Sequence, residues 1–148
     1  MFAALDAMDN LQQSIMVHDE KELNFNASKY DNYTIRPFLN GKMYEIDVFC
    51  NPDGSPVFIT PRAKEDIEGK ESARYRVVRD HKIVEEVEKI LLKLKPCGWM
   101  TVFMLREENT DKDYFIRMEP WYHQASTVSI KAGADAPFAA LSLSLIHI

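Results

Sequence analysis

An α+β domain with a mostly antiparallel sheet and packed helices is what the sequence predicts, and three observations predict it. A strong turn, Asn51-Pro52-Asp53-Gly54-Ser55, separates two β-rich arms; proline presets φ there and glycine permits a positive φ. Residues 80–95 carry one apolar stripe at helical spacing. Two further β-rich stretches, 99–106 and 113–118, are joined by the polar residues 107–112. Strands, a hairpin, one helix and a second hairpin, in that order, make an α+β arrangement.

Taken along the chain, residues 2–16 place Leu5, Met8, Leu11 and Ile15 at helical spacing and are expected to form a helix. Asp19 is expected to cap a short helix starting in Glu20-Lys21-Glu22-Leu23, because an Asp side chain accepts from free backbone N–H groups. Residues 24–31 are expected to be a polar loop. Residues 33–39 read as a strand, with Pro37 marking an edge or a bend. Asn40-Gly41 signals a turn, residues 44–50 a strand, and residues 56–60 the returning arm of the hairpin. The charged stretch 61–72 is expected to be a loop, and 74–79 another strand. In the helix, Ile83, Val84, Val87, Ile90, Leu91 and Leu94 form the stripe. Asp80 suits its N-cap, and Pro96 with Gly98 ends it. Glu85 and Lys89 are expected to pair at i, i+4 on the outer face.

The 148 residues suit one domain or a piece of a larger one. A net charge of −5 argues against a nucleic-acid partner, which a basic face would favour. The two cysteines, Cys50 and Cys97, are too few for a disulfide framework and have no metal-ligand spacing, so they read as reduced and structural in a cytosol-like compartment. No stretch reaches the ~18 apolar residues of a membrane helix. Residues 1–12 carry Asp6 and Asp9 and no Lys or Arg, unlike a signal peptide. The expected location is therefore the cytoplasm.

His18, His81, His123 and His147 lack a zinc-site spacing and read as surface residues; His123 lies near Glu119 in sequence, so a pair is conceivable, though it is not the expectation. There is no Gly-x-Ser-x-Gly elbow and no Walker loop. Arg74 and Arg76 share a strand face that is read as solvated. Trp99, Phe103, Phe115 and Trp121 are read as packing residues.

Several segments from about Gln13 to Leu141 fall in a telling order. They are Tyr44-Glu45-Ile46-Asp47-Val48-Phe49, the hairpin leading into Pro61-Arg62, the helix from Asp80, Tyr114-Phe115-Ile116 running to Pro120, and Ser129-Ile130-Lys131-Ala132-Gly133-Ala134-Asp135-Ala136-Pro137. Together they resemble the later part of an ATP-grasp domain, in the branch of the carbamoyl-phosphate synthase large chain and related carboxylate–amine ligases. The resemblance implies ATP held between two α+β lobes and a carboxylate activated as an acyl phosphate. Phosphoryl transfer needs charge neutralisation, normally by Mg²⁺ with hard oxygen ligands.

Carried over by position, that resemblance puts Phe38, Leu39 and Arg62 at the nucleotide. The metal strand departs from the family pattern: its bridging carboxylate falls on Arg117, its Asn on Glu119, its phosphate-binding Arg on Trp121, and the acidic or amide residue of the preceding strand on Phe103. An arginine cannot ligate Mg²⁺, so Glu119 remains as the lone candidate metal ligand. No glycine precedes Gly41, so a glycine-rich phosphate lid is missing or replaced near residues 10–15. Two accounts follow. In one, the chain is a pseudo-ligase that keeps the shape and loses the chemistry, serving docking or regulation. In the other, Arg117 takes the catalytic place of the metal with its own positive charge. Trp121 and Phe103, which also block polar chemistry, favour the first.

Finally, Leu143-Ser144-Leu145-Ile146-His147-Ile148 can be spelled CTG TCT CTT ATA CAC ATC, which resembles the transposon end used in sequencing libraries. On that reading, residues 1–142 are a partial ATP-grasp domain and 143–148 are adapter read-through; the alternative is a C-terminal helix continuing Phe138-Ala139-Ala140-Leu141.

Overall fold

The computed structural model describes residues 3–7, 13–30, 32–37, 39–66, 73–121 and 123–146. They fall into two compact units, Met1–Asn40 and Gly41–Ile148.

In the first unit, strands β1 (Ala3–Ala7), β2 (Gln13–Val17) and β3 (Tyr33–Pro37) form an antiparallel sheet in the order β2-β1-β3. The helix expected over residues 2–16 is therefore a strand pair. Its apolar residues fit both periods, and strand pairing decides: the register sets Leu5 opposite Ile15 on one side and Ile35 on the other. Asp19 does cap α1 (Glu20–Ala27), accepting from the Glu22 N–H at 2.8 Å. The helix runs on through half of the expected loop, where the Asn26 amide bonds back to the Glu22 carbonyl. Pro37 ends β3, an edge strand, where a proline is tolerated.

The second unit is built on a five-stranded antiparallel sheet in the order β6-β5-β4-β7-β8. Its strands are β4 (Gly41–Cys50), β5 (Pro56–Asp66), β6 (Ala73–Val77), β7 (Gly98–Glu107) and β8 (Asp113–Glu119). Helix α2 (His81–Leu94) precedes β7, and a 3₁₀ turn (Gln124–Ser126), α3 (Thr127–Lys131) and α4 (Ala136–Ile146) follow β8. Two short-range devices fix the frame. Gly41 opens β4 so close to β7 that an added Cβ would sit 2.1 Å from the Arg106 carbonyl oxygen. Gly54, at φ 86°, turns the β4–β5 hairpin, and a Cβ there would meet the backbone of Lys95 at 2.7 Å.

Alternation divides the sheet into two faces. Tyr44, Ile46, Val48 and Cys50 of β4 share one face with Ala63 of β5 and Met100, Val102 and Met104 of β7; Ile83, Val87 and Leu91 of α2 close over them as a buried core. The predicted stripe thus does its work, except that Leu94 lies largely exposed at the last turn. Asp80 caps α2 through the Ile83 N–H at 3.1 Å, and Lys95 ends it in the left-handed region. Lys89 pairs with Glu86 at 2.7 Å rather than with Glu85, the i, i+3 neighbour being the one in reach.

The loop expected over residues 61–72 is, up to Asp66, the second half of β5. Period 2 turns Arg62 inward onto the face of Glu45. Arg62 is fully buried, and its register partner is Glu45. Its Nη2 donates to Asp47 Oδ1 at 2.9 Å and lies 3.3 Å from Glu45 Oε2, while Nε stands 2.9 Å from Asp47 Oδ2 without hydrogen-bond alignment. Asp47 is also fully buried and accepts from Ser126 Oγ at 2.8 Å, Ser129 Oγ at 2.5 Å and Thr101 Oγ1 at 3.3 Å. The Tyr75 hydroxyl donates to Glu45 Oε1 at 3.0 Å. This network joins β4, β5, β6 and β7 to the 3₁₀ turn and α3. A buried pair is costly to desolvate, and several hydrogen bonds to one carboxylate offset that cost.

Removing one partner leaves the other charge buried. Arg62→Met should lower unfolding free energy in urea by about 3–5 kcal/mol, whereas Arg76→Met, which breaks the exposed Arg76–Glu65 pair at 3.0 Å, should change it by no more than about 1 kcal/mol. Gly41→Ala forces the β4–β7 ladder apart and should cost about 1–3 kcal/mol in the same assay. Asp80 supplies a pH test. Burial, the largest influence, would raise its pKa, but the Arg106 hydrogen bond, the Ile83 N–H and the Arg106 charge together outweigh it and hold the carboxyl below its usual range. A depressed folded pKa adds stability above the unfolded value, which is lost as pH falls through the folded one. Asp80→Asn should therefore be less stable than the parent at pH 7, with the gap in thermal midpoint narrowing on acidification toward pH 3.

Candidate functional site

The polar face continues across β7 and β8. Phe103 stands opposite Arg117 and Thr101 opposite Glu119, so these four side chains share the face of Asp47 and Arg62. The register shifts between Phe103 and Met104, leaving Ile116 as an extra residue on β8. Such a bulge re-aims the residues beyond it. Pro120 follows the strand directly, and the Ser126 N–H bonds to the His123 carbonyl at 2.9 Å. With Ser126 and Ser129 tied to Asp47, the segment after β8 is held back against the sheet end.

That segment brings His123 to Glu119. Glu119 accepts from Arg117 Nε at 2.6 Å through Oε1, and its Oε2 lies 2.5 Å from His123 Nε2. The Arg117 guanidinium carbon stands 3.8 Å from the centre of the Phe103 ring, a cation–π distance, and His123 meets the same ring edge-on at 5.3 Å. Four side chains thus form a closed set: two cationic or potentially cationic groups around a nearly buried ring, bridged by one carboxylate. The His123 hydrogen bond first, and then that of Arg117, hold the Glu119 carboxyl below the usual range. Arg117 remains half exposed.

Each sequence candidate can now be placed. Arg117 and Glu119 are brought together, as their spacing on one strand face implies. Both oxygens of Glu119, the candidate metal ligand, are already committed, and among the described residues no group of three or more His, Cys, Asp or Glu could hold a metal ion. Arg62, carried over to the nucleotide by resemblance, spends its charge inside the sheet on Asp47 and Glu45 and has no exposed surface. Leu39 is half-buried in the first unit, and Phe38 lies outside the described residues. Of the residues read as packing, Phe103 is buried, while Phe115 and Trp121 are about half exposed. Cys50 is buried and Cys97 exposed, both as free thiols.

Sequence reading missed one network and noted one pair as conceivable without expecting it. The Glu45–Asp47–Arg62 network was signalled by charges alternating with Tyr44, Ile46 and Val48 along β4. The His123–Glu119 pair was signalled only by nearness in sequence, because the turn that folds His123 back depends on serines bound to a distant aspartate.

No protein-family model and no curated protein matches the sequence. Solved structures do match the fold. N5-carboxyaminoimidazole synthetase from Staphylococcus aureus superposes with a TM-score of 0.65 at 17% identity, over 88% of this chain and 36% of its own. D-alanine–D-alanine ligase from Bacillus anthracis, complexed with ATP, gives 0.59 at 18% identity over 90% of this chain and 47% of its own. The ATP-grasp ligase PsnB, complexed with a minimal precursor, gives 0.51 at 7% identity over 83% and 41%. The chain thus spans less than half the length of each of these neighbours. At these identities the likeness speaks for the fold alone: the chain shares an α+β fold with part of each of these structures, among them one named an ATP-grasp ligase.

Proposed function

We propose that this chain is the nucleotide-holding part of an ATP-dependent ligase of the carboxylate–amine type, in the carbamoyl-phosphate-synthase-like branch, with its metal-dependent catalysis reduced or lost. The observation that carries the reading is the fold shared with ligase structures that hold ATP or ADP. In such a reaction the γ-phosphoryl group of ATP passes to a carboxylate oxygen, giving an acyl phosphate and ADP. A nitrogen nucleophile then attacks the carbonyl carbon, and phosphate leaves. The small-molecule carboxylate and the nucleotide are the proposed ligands, and Phe38 with Leu39 are the proposed adenine contacts. A cytoplasmic setting accords with the two free thiols.

The residues present do not fit Mg²⁺. The position expected to bridge the metal is the cation Arg117, and Glu119 is held at both oxygens. This favours a second reading beside the first: a non-catalytic module that uses the lobe for docking or regulation. Calorimetric titration of the chain with ATP, in Mg²⁺ and again in EDTA, separates them. The expected result is ATP binding that Mg²⁺ changes by less than about threefold. A gain of about tenfold or more with Mg²⁺ would contradict the loss of metal dependence and point to an ordinary ligase site. Failure to bind ATP in either buffer would leave the docking module.

A further inference from the structure

Four side chains that leave no place for a divalent cation are themselves arranged to receive an anion. The Arg117 guanidinium lies over the Phe103 ring at 3.8 Å, and Glu119 takes its Nε at 2.6 Å. Among the described residues its terminal amino groups make no hydrogen bond. A free arginine side chain loses rotamer freedom when it binds; here the stack and the Nε bond have already fixed the plane. The half-exposed outer edge can therefore present two parallel N–H groups to a pair of oxygens. His123 takes the other oxygen of Glu119 and packs edge-on against Phe103, so the carboxylate and the ring are both locked.

The geometry points to a metal-free oxyanion site at the end of β8, in which the outer edge of Arg117 grips a phosphate-type group. Glu119, Phe103 and His123 are positioning residues, since they act by orienting Arg117. This inference deepens the nucleotide reading and rests on it only for the identity of the natural ligand. The site's own chemistry calls for oxygens of a planar or tetrahedral anion, which a fixed guanidinium meets in bidentate fashion. The fold's expected cation would supply the same neutralisation by coordination, so cation and arginine are alternatives rather than partners at this place.

Two probes distinguish the site from the nucleotide reading. Pyrophosphate carries the anion without the base, and adenosine carries the base without the anion. Each is titrated calorimetrically into the whole chain in EDTA, and pyrophosphate again into Arg117→Met and Arg117→Lys. The expected result is pyrophosphate binding that weakens about tenfold to a hundredfold in Arg117→Met and is only partly restored by lysine, which has charge but no fork. Because Arg117 is half exposed, both variants should keep the parental far-ultraviolet circular dichroism; should Arg117→Met fail to fold, Arg117→Lys alone decides, and undiminished binding by it overturns the fork. No pyrophosphate binding, or equal binding by parent and Arg117→Met, overturns the site. Adenosine binding alongside either of those results would leave the nucleotide reading standing without it. Pyrophosphate binding that weakens in Arg117→Met, without adenosine binding, would support the site and count against the nucleotide reading.

Discussion

Asp47 and Arg62 are both fully buried, and the polar half of the second unit is organised around their charges. A buried ion pair is a poor source of stability in itself, because desolvation offsets most of the attraction. Its value here is geometric. One carboxylate is reached by hydroxyls from β7, the 3₁₀ turn and α3 as well as by the guanidinium of β5. Any displacement of these elements strands a charge, so the penalty for misplacement is high even where the net gain is small. The segment carrying His123 inherits its position from this constraint, and the bridging of Glu119 depends on that position.

The two faces of the sheet divide the labour. The face under α2 is apolar and closed by Ile83, Val87 and Leu91, each fully buried. It supplies the hydrophobic stabilisation that the polar face cannot. The polar face in turn is graded: Arg62 and Asp47 are sealed, Phe103 is nearly so, and Arg117 on the edge strand is half open. A cation at the edge keeps hydration that the interior cation has lost. This is why one arginine serves structure and the other is available to a ligand.

Much of this was legible in the residues. The stripe from Ile83 to Leu94, the Asp80 and Asp19 caps, the Gly54 turn and the five strands of the second unit follow from period, capping and turn chemistry. The misses have physical causes. Leu5 and Ile15 fit a helix and a strand equally well, and only pairing with a third strand settles the matter. Lys64 and Glu65 made the stretch look like a solvated loop, but β5 runs on through it, and Arg62 lies inward on the face that carries Asp47 and Glu45. The Arg117–Glu119 pair was visible as a two-residue spacing on a strand. The His123–Glu119 pair was conceivable from nearness in sequence but not expected, since its approach is set by tertiary bonds.

The hydroxyls that satisfy Asp47 come from far along the chain: Ser126 is 79 residues away and Ser129 is 82. During synthesis the β4–β5 hairpin, with its acidic pair and its arginine, emerges long before the residues that complete its hydrogen bonds. Closing so long a loop is slow relative to local hairpin and helix formation. The early hairpin must therefore keep its charges hydrated, and the sheet interior can dry only when the last third of the chain arrives. The polar face of the second unit is thus complete only once Ser126 and Ser129 have reached Asp47.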